Sequence, residues 1–487
     1  MKKIKAFFVF FIVLFFSGQL FSQDKTFEVI IGNGDNLVCT DMVEDSSGIV
    51  YFTVISNKVN SSIQDALVGR MNAQGELLDT LRLASPDKSR ILYNIHEKEP
   101  GVFILTGVEF DPETVNNVTI LVYLINDNLG IIDSAKYYLP PNKKYRSIYS
   151  NYEKNGHLLL SGSYYTGDLF SERHSFVMIL NEEMDSIGFN EFEGYMGISF
   201  FKQFDDNQYW VIEEVARDIC ILDSTLTKTE IMDVPDYIFG DYSVKWDTDT
   251  SFYLLGYNLY PLPNKNLALL RFYHPIDTAG YKLNILKVSD TTDHPCVRGG
   301  VDFIIKDTIF TGGTRNLNYD NNPYYSTKPS WFMLFQTDSL LNIRWERFFG
   351  GDACYVMTNL IATRDGGCLV AGTRYDYMND PVPQTDIIVL KLNSEGLLVG
   401  NNELPETRMS EAIVYPNPGT DAMQIRLAVQ HPTALLELFD ANGRLVLSQQ
   451  LHQKESHIVV YHLPTGTYIY RLSADTGLLE SGKWVKM

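Results

Sequence analysis

The stretch RFFGGDACYVMTNLIATRDGGCLVAGTR, residues 347–374, decides the fold. It reads as strand, Gly-rich corner, strand, acidic Gly turn, strand. The same order runs through FEVIIGNGDNLVCTDMVEDSSGIVYFTVIS, residues 27–56. Between them the second-strand word recurs as GVFILTGVEF (101–110), HLLLSGSYY (157–165), QYWVIEEV (208–215), SFYLLGYN (251–258) and TIFTGGTR (308–315). A third strand and a hairpin follow each time, from ALVGRMNAQGELLDTLRL to IIVLKLNSEGLLVGNNEL. Short alternating strands between turn signals, without helical periodicity, predict an all-β chain. The units lie roughly 40 to 60 residues apart, the period of four-stranded β-propeller blades. With IVYFTVIS (49–56) and CLVAGTRY (368–375) there are seven second strands, so the expectation over 23–404 is a seven-bladed β-propeller. Closing such a ring needs an outer strand for the last unit. LLVGNNEL (397–404) is one candidate and TFEVIIG (26–32) the other. FEVIIGNG aligns with the outer-strand word RFFGG, which favours the N-terminal strand.

The last two units match best the propeller-like repeats of secreted bacterial proteins, which they resemble through TRDGGCLVAG, TDIIVLKLNSEG and IRWERFFGG. That resemblance implies architecture and no activity.

Composition bounds the partners. The chain has 487 residues, 45% of them hydrophobic and 13% aromatic, with 29 Tyr and 28 Phe. Such a chain can bury several cores, and its aromatics favour strands. A formal net charge of −20 excludes the basic footprint that nucleic acid or an anionic membrane surface requires. Lys2, Lys3 and Lys5 precede an apolar run, Ala6–Phe16, too short to span a bilayer as a helix. Residues 1–22 therefore read as a signal peptide ending at Ser22, with a membrane anchor as the alternative. No later segment is apolar enough to span a membrane, so no transmembrane segment is expected after cleavage.

The five cysteines, Cys39, Cys220, Cys296, Cys354 and Cys368, show no CxxC spacing, so no metal site is expected. They read as small buried hydrophobes rather than disulfides, with Cys39 and Cys354 at equivalent places in two repeats. No nucleophile elbow, zinc helix, phosphate loop or complete dinucleotide loop occurs, and no cofactor is expected. IGNGDN (31–36) and TRDGG (363–367) read as turns needing φ > 0. Carboxylates are abundant, but no spacing marks a catalytic pair, so the catalytic residues are unknown and the enzyme question stays open, leaning to none.

Antiparallel succession puts the loops between second and third strands on one face of a propeller. Several are long and aromatic: SYYTGDLFSERHS (163–175), YNLYPLPNKN (257–266), NLNYDNNPYYSTKPSW (316–331) and YDYMNDPVPQT (375–385). Tyrosine and tryptophan give large contact area with a polar handle. Tyr324, Tyr325, Trp331, Tyr257, Tyr260, Tyr375 and Tyr377 are thus a candidate binding surface for a glycan or protein. The other reading is that these rings pack the loops onto the blades. On the expected opposite face, Asp-Ser or Asp-Thr before Ala, Ile, Leu, Val, Met or Thr marks Thr80, Ser134, Ser186, Ser224, Thr278, Thr291, Thr308 and Ser339. This pattern resembles the O-glycosylation motif of Bacteroidetes exported proteins, although hairpin chemistry also favours Asp-Ser and Asp-Thr.

PETRMSEA follows the repeats, and residues 405–412 read as a linker. IVYPNPGTDAMQIRL (413–427) then opens a second domain, because Pro416 and Pro418 forbid a central strand or helix. TALLELFDANGRLVLSQQL, HIVVYHLPTGTYIYRLSAD and ESGKWVKM complete a small Ig-like β-sandwich over 413–487. The blocks VYPNP, LFDANGRLV, LPTGTYIYRL and GKWVKM resemble, in order, the type A C-terminal sorting domain of the type IX (Por) secretion system. Tyr415, Pro416, Asn417, Pro418, Gly443, Gly466, Tyr468 and Lys483 carry the match. The resemblance implies transit through the periplasm, contact with the type IX secretion machinery, removal of the tail by a sortase-like protease, and release or surface attachment. The sequence-level expectation is a non-enzymatic surface or secreted binding scaffold. The alternatives are a polysaccharide-active hydrolase or lyase and a structural surface protein.

Overall fold

The structure, a computed structural model, describes residues 26–398 and 412–487, apart from 60, 115–116, 140–142, 154, 167–172, 194–197, 206, 214–217, 234–238, 249–250, 259–264, 274–280, 288–290, 297, 318–322, 380–382, 416–418, 428–433, 441–442, 454 and 475–476. The signal peptide, most of the linker, Tyr260, Thr278, Pro416, Asn417 and Pro418 lie outside these residues. The chain forms two compact units, 1–400 and 401–487.

The first unit is all-β, built from repeated antiparallel sheets. The first sheet pairs 36–44, 50–57, 64–71 and 77–83 in that order, and the second 89–99, 102–110, 119–126 and 131–138. The third holds 143–152, 158–166, 173–180 and 186–193. The fourth holds 198–205, 208–213, 218–223 and 228–233. The fifth holds 239–248, 251–258, 266–273 and 281–285. In the sixth, two short pieces, 294–295 and 301–302, replace one inner strand beside 309–315, 331–337 and 343–350. The seventh runs 354–362, 368–375 and 386–392, and its outer strand is Phe27–Ile31. Phe27 opposes Lys391 and Ile31 opposes Ile387. The N-terminal strand thus takes the place expected of it. Among the described residues the first unit's helical content is one 3₁₀ turn, Pro323–Tyr325.

Second strands are buried on both faces, which is why they read as apolar runs rather than alternations. Phe103 and Leu105 pack against Tyr51 and Val68 of the first sheet, while Ile104 faces Leu158 and Phe176 of the third. The same division places Tyr253 and Leu255 toward the sixth sheet, and Phe252 and Leu254 toward the fourth. Between the seventh and first sheets the core comprises Phe27, Leu37, Cys39, Val54, Leu369 and Ile387. The inner strand of each sheet lies beside that of the next, and 354–362 returns to lie beside 36–44.

The turns that follow the third strands share one device. Asn72, Asn126, Asn393 and Asp338 each accept backbone N–H bonds from residues two and four positions on. Asp223 does the same toward Thr225 and Thr227. The residue three positions on is left-handed: Gly75, Leu129, Leu226, Leu341 and Gly396 have φ between 59° and 82°. Where that residue is leucine, its side chain is buried against the preceding sheet. Where it is glycine, an aromatic ring fills the space. A Cβ on Gly75 would stand 2.7 Å from the Phe27 ring, and one on Gly396 2.8 Å from Trp345. Gly366, in TRDGG, also has φ of +88°, and Asp365 there accepts from Thr363 Oγ1 and the Gly367 amide.

All five cysteines are buried thiols. The equivalence of Cys39 and Cys354 is corrected by the strand register. A bulge follows Cys39 in the first sheet, Leu92 in the second and Met357 in the seventh. Cys39 therefore corresponds to Met357, because the bulge, not the Gly-rich corner, fixes the repeat's register.

The second unit has a three-stranded sheet, 412–415, 422–427 and 455–459, and a four-stranded sheet, 445–451, 434–439, 466–474 and 477–486. Met423 and Ile425 of one share a core with Leu436, Leu438, Tyr468 and Trp484 of the other.

Candidate functional site

The strands reach further into the quoted loops than the sequence suggested. In the third sheet the flanking strands run to Thr166 and from Arg173, and in the fifth to Asn258 and from Asn266; most of what lies between is outside the described residues. The sixth and seventh keep long loops, 316–330 and 376–385. These two loops bring four of the predicted tyrosines together. Tyr375 is buried with Leu317, Cys354 and Val356, and half-buried Tyr324, Tyr325 and Tyr377 pack on that group. The Tyr325 and Tyr375 rings meet edge-on at 5.8 Å, and Tyr375 and Tyr377 at 6.3 Å. Trp331 lies elsewhere, at the start of its strand. It is half-buried over the backbone of Gly351, where a Cβ would collide with its indole. Tyr257 is also apart, beneath Lys265 Nζ at 4.2 Å and beside His294.

Next to Tyr375 runs a charged network. Tyr355 Oη donates to Asp352 Oδ1 at 2.6 Å. Arg374 donates to Tyr355 Oη, to Asp352 at 3.0 Å and to Asp376 at 3.2 Å. Burial pushes both carboxyls up, but hydrogen bonds and Arg374 hold each below the ordinary carboxylate range.

The bulges place a polar residue at one level of the inner strands: Asp41, Asn94 and Asn359. Asp41 Oδ1 accepts from Met42 N and Asn359 Nδ2, both at 2.9 Å. Its Oδ2 accepts from Ile95 N at 3.0 Å and Asn94 Nδ2 at 3.4 Å. Asn94 Oδ1 accepts in turn from Ser150 N, which extends the belt to the third sheet. Burial pushes the Asp41 carboxyl up to about 6 against these donors. His96 is held near Ser150 Oγ at 2.8 Å, and burial lowers it to about 4. Sequence reasoning missed this belt, since the bulge that aligns its members leaves no spacing signal.

At the middle of the ring sits Arg298, also absent from the predicted set. Its segment belongs to the sixth sheet, yet Nη1 donates to Ile148 O of the third sheet at 3.0 Å. The guanidinium carbon lies 4.2 Å from the Tyr93 ring and 4.5 Å from the Tyr149 ring.

Of the candidate glycan acceptors, Thr80, Ser134, Ser186 and Ser224 are exposed at or beside the turns between third and fourth strands. Ser339 lies in such a turn and donates to Asp307. Thr308 ends a turn between first and second strands, and Thr291 precedes the sixth sheet.

In the second unit, Tyr468 is buried in the core and its hydroxyl donates to Pro464 O at 2.7 Å, fixing the Pro-Thr-Gly turn. Gly443 takes φ of +75° in the turn accepted by Asp440. Gly466 opens the strand 466–474, Lys483 is exposed opposite Ile469, and Tyr415 ends the strand 412–415. The C-terminal strand is tied down by Gly419 N to Val485 O and Met487 N to Gly419 O.

Comparison with solved structures gives matches of low identity. A protein of unknown function from Bacteroides caccae is 8% identical, with 65% of this chain and 94% of that chain covered at a TM-score of 0.39. Virginiamycin B lyase from Staphylococcus aureus is 12% identical over 76% and 99%, TM-score 0.42. A point mutant of the α-L-arabinofuranosidase of Fusarium graminearum, in complex with an iminosugar inhibitor, is 9% identical over 75% and 98%, TM-score 0.42. No curated protein matches the chain. Residues 413–486 match the family model described as a secretion system C-terminal sorting domain. Residues 413–486, which make up nearly all the described part of the second unit, thus belong to the type IX (Por) sorting-domain family.

Proposed function

We propose that this chain is an exported, non-enzymatic binding protein. Its first unit is a seven-bladed β-propeller, and its loop side contacts a glycan or protein. Its tail is an Ig-like sandwich that directs it through the periplasm and across the outer membrane, to be cut by a sortase-like protease. Export to the medium or the surface follows from the sorting domain itself. The observation carrying the binding role is the convergence of Tyr324, Tyr325 and Tyr377 from two long loops over buried Tyr375. Long loops cost ordering entropy, and half-exposed tyrosines on a rigid scaffold are typical contact residues.

The carboxylates beside the tyrosine cluster support binding over hydrolysis. A glycosidase needs one carboxyl raised as an acid beside one that is ionised. Asp352 and Asp376 share Arg374 and are both lowered, and Asp41 is filled by four donors.

A glycan array on the purified chain tests this reading, with Tyr324→Ala/Tyr325→Ala as the variant. Binding is expected to disappear while stability changes by less than about 2 kcal/mol. A loss of several kcal/mol with binding intact would assign the rings to loop packing. The eight Asp-Ser and Asp-Thr positions are proposed as glycan attachment points, and intact mass of the protein from its own host would show the added mass.

A further inference from the structure

Several guanidinium groups of this protein are met by carboxylates: Arg90 by Glu109, Arg271 by Asp247, Arg374 by Asp352 and Asp376. Arg298 is not. One N–H goes to Ile148 O, and the Tyr93 and Tyr149 rings flank it. Among the described residues no carboxylate pairs with it, although the chain carries 60 acidic residues against 40 Lys and Arg. Residues of the second, third and sixth sheets meet here, across the middle of the ring. The side chain is half-buried rather than sealed, as are both flanking tyrosines.

Arg298 also joins the centre to the loop face. The Tyr324 phenol, from the long loop of the sixth sheet, is pushed up by burial and pulled down by Arg298. Tyr93 feels both Arg298 and Tyr324. Tyr324 of the tyrosine cluster is thus within electrostatic reach of Arg298 and Tyr93, and these residues make up the candidate surface.

We propose that this surface binds a carboxylate-bearing sugar, with Arg298 taking the carboxylate and the tyrosines taking the sugar ring. The inference rests on the binding-face reading and names its ligand class. A guanidinium fork matches a planar carboxylate bidentately, and a half-buried pair is less screened than a surface one. The flanking rings hold the fork in one plane through cation–π contact, so little freedom is lost on binding. Tyrosine faces accept the C–H surface of a pyranose, while their hydroxyls meet its hydroxyls. The net charge of −20 repels an anion at long range, so the attraction must be local, which is what a half-buried arginine supplies.

Isothermal titration of the full chain with trigalacturonate, neutral galactotriose and a Glu-rich peptide tests the proposal. Trigalacturonate is expected to bind at least about tenfold more tightly than galactotriose. Arg298→Gln should remove that difference, and Arg298→Lys should keep part of it. Thermal melts of both variants report whether the ring still folds. If Arg298→Gln does not fold, the wild-type comparison and Arg298→Lys still decide. Equal affinity for charged and neutral sugar, no binding of trigalacturonate, or an unchanged Arg298→Gln overturns the proposal. Tighter binding of the peptide overturns it too and makes the site one for proteins. Neutral-glycan binding that survives these results leaves the binding-face reading standing without the acidic ligand.

Discussion

Asn359 donates from Nδ2 to Asp41 Oδ1 at 2.9 Å, and this bond crosses the seam between the last and first sheets. The same carboxylate accepts from Ile95 N of the second sheet. One side chain therefore ties three inner strands together. Asp41→Ala leaves several buried donors without an acceptor, and the expected loss is about 3 kcal/mol or more. Asn359→Ala removes one donor and should cost about 1 kcal/mol. Urea midpoints of the two variants check the order; a smaller loss for Asp41→Ala would remove the carboxylate from its structural role.

His96 and Asp41 predict opposite responses to acid. His96 is lowered from 6.5 to about 4, so the unfolded chain binds its proton first and His96 favours unfolding as pH falls through that window. Asp41 is raised from 3.8 to about 6, so its contribution is present at low pH and is lost as pH rises from about 4 to about 6. His96→Asn should therefore gain stability relative to wild type as pH falls from 6.5 to about 4, by at most about 1.4 kcal/mol per unit. Melting temperatures across that range measure the difference, and parallel profiles would refute it.

The left-handed leucines invert an ordinary ranking. Leu226 and Leu341 are buried at φ of 61° and 64°. Either replacement by Ala or Gly empties the site and costs about 2–4 kcal/mol. Alanine keeps the strain of the left-handed backbone and glycine relieves it. Leu341→Gly should thus be more stable than Leu341→Ala by about 1 kcal/mol. Chemical denaturation of the pair decides the point.

Phe27 closes the ring from the outer edge. It is buried and its ring fills the space over Gly75 of the first sheet. Phe27→Ala should cost about 3–4 kcal/mol. Gly75→Ala should also destabilise, through both the ring contact and its φ of +82°. Thermal melts suffice; a neutral Phe27→Ala would mean the outer strand adds no stability.

In the tail, Trp484 is fully buried and pairs with Tyr468 at 6.1 Å. Trp484→Ala should unfold this small sandwich, at about 3–5 kcal/mol, and leave the first unit folded. In cells the protein is then expected to accumulate in the periplasm. Normal amounts in the medium or at the surface would show that export does not need a folded tail.

The strand runs were legible because a strand buried on both faces leaves an unbroken apolar word, as in VFILTG and YLLG. The closing strand was legible because FEVIIGNG repeats the outer-strand pattern. The tyrosines were visible as composition, but which ones meet was not, since Tyr375 ends a strand of the seventh sheet, Tyr325 lies on a loop of the sixth, and tertiary packing joins them. Arg298 was invisible because its partners, Tyr93, Tyr149 and Ile148, sit on other sheets and share no spacing with it. The corresponding place of Cys39 was misjudged because one extra residue at a bulge shifts the register.

The pairing of Phe27 with Lys391 sets a clock on folding. A partner so distant along the chain comes late, because the whole intervening length must be organised before the two ends meet. Until then the molecule carries two complementary raw edges, 27–31 and 386–392. The same edge on a second copy is a chemically identical partner. Refolding at high protein concentration should therefore exchange these strands between molecules. The resulting assemblies would contain only native pairings and would dissociate only as fast as the ring itself opens.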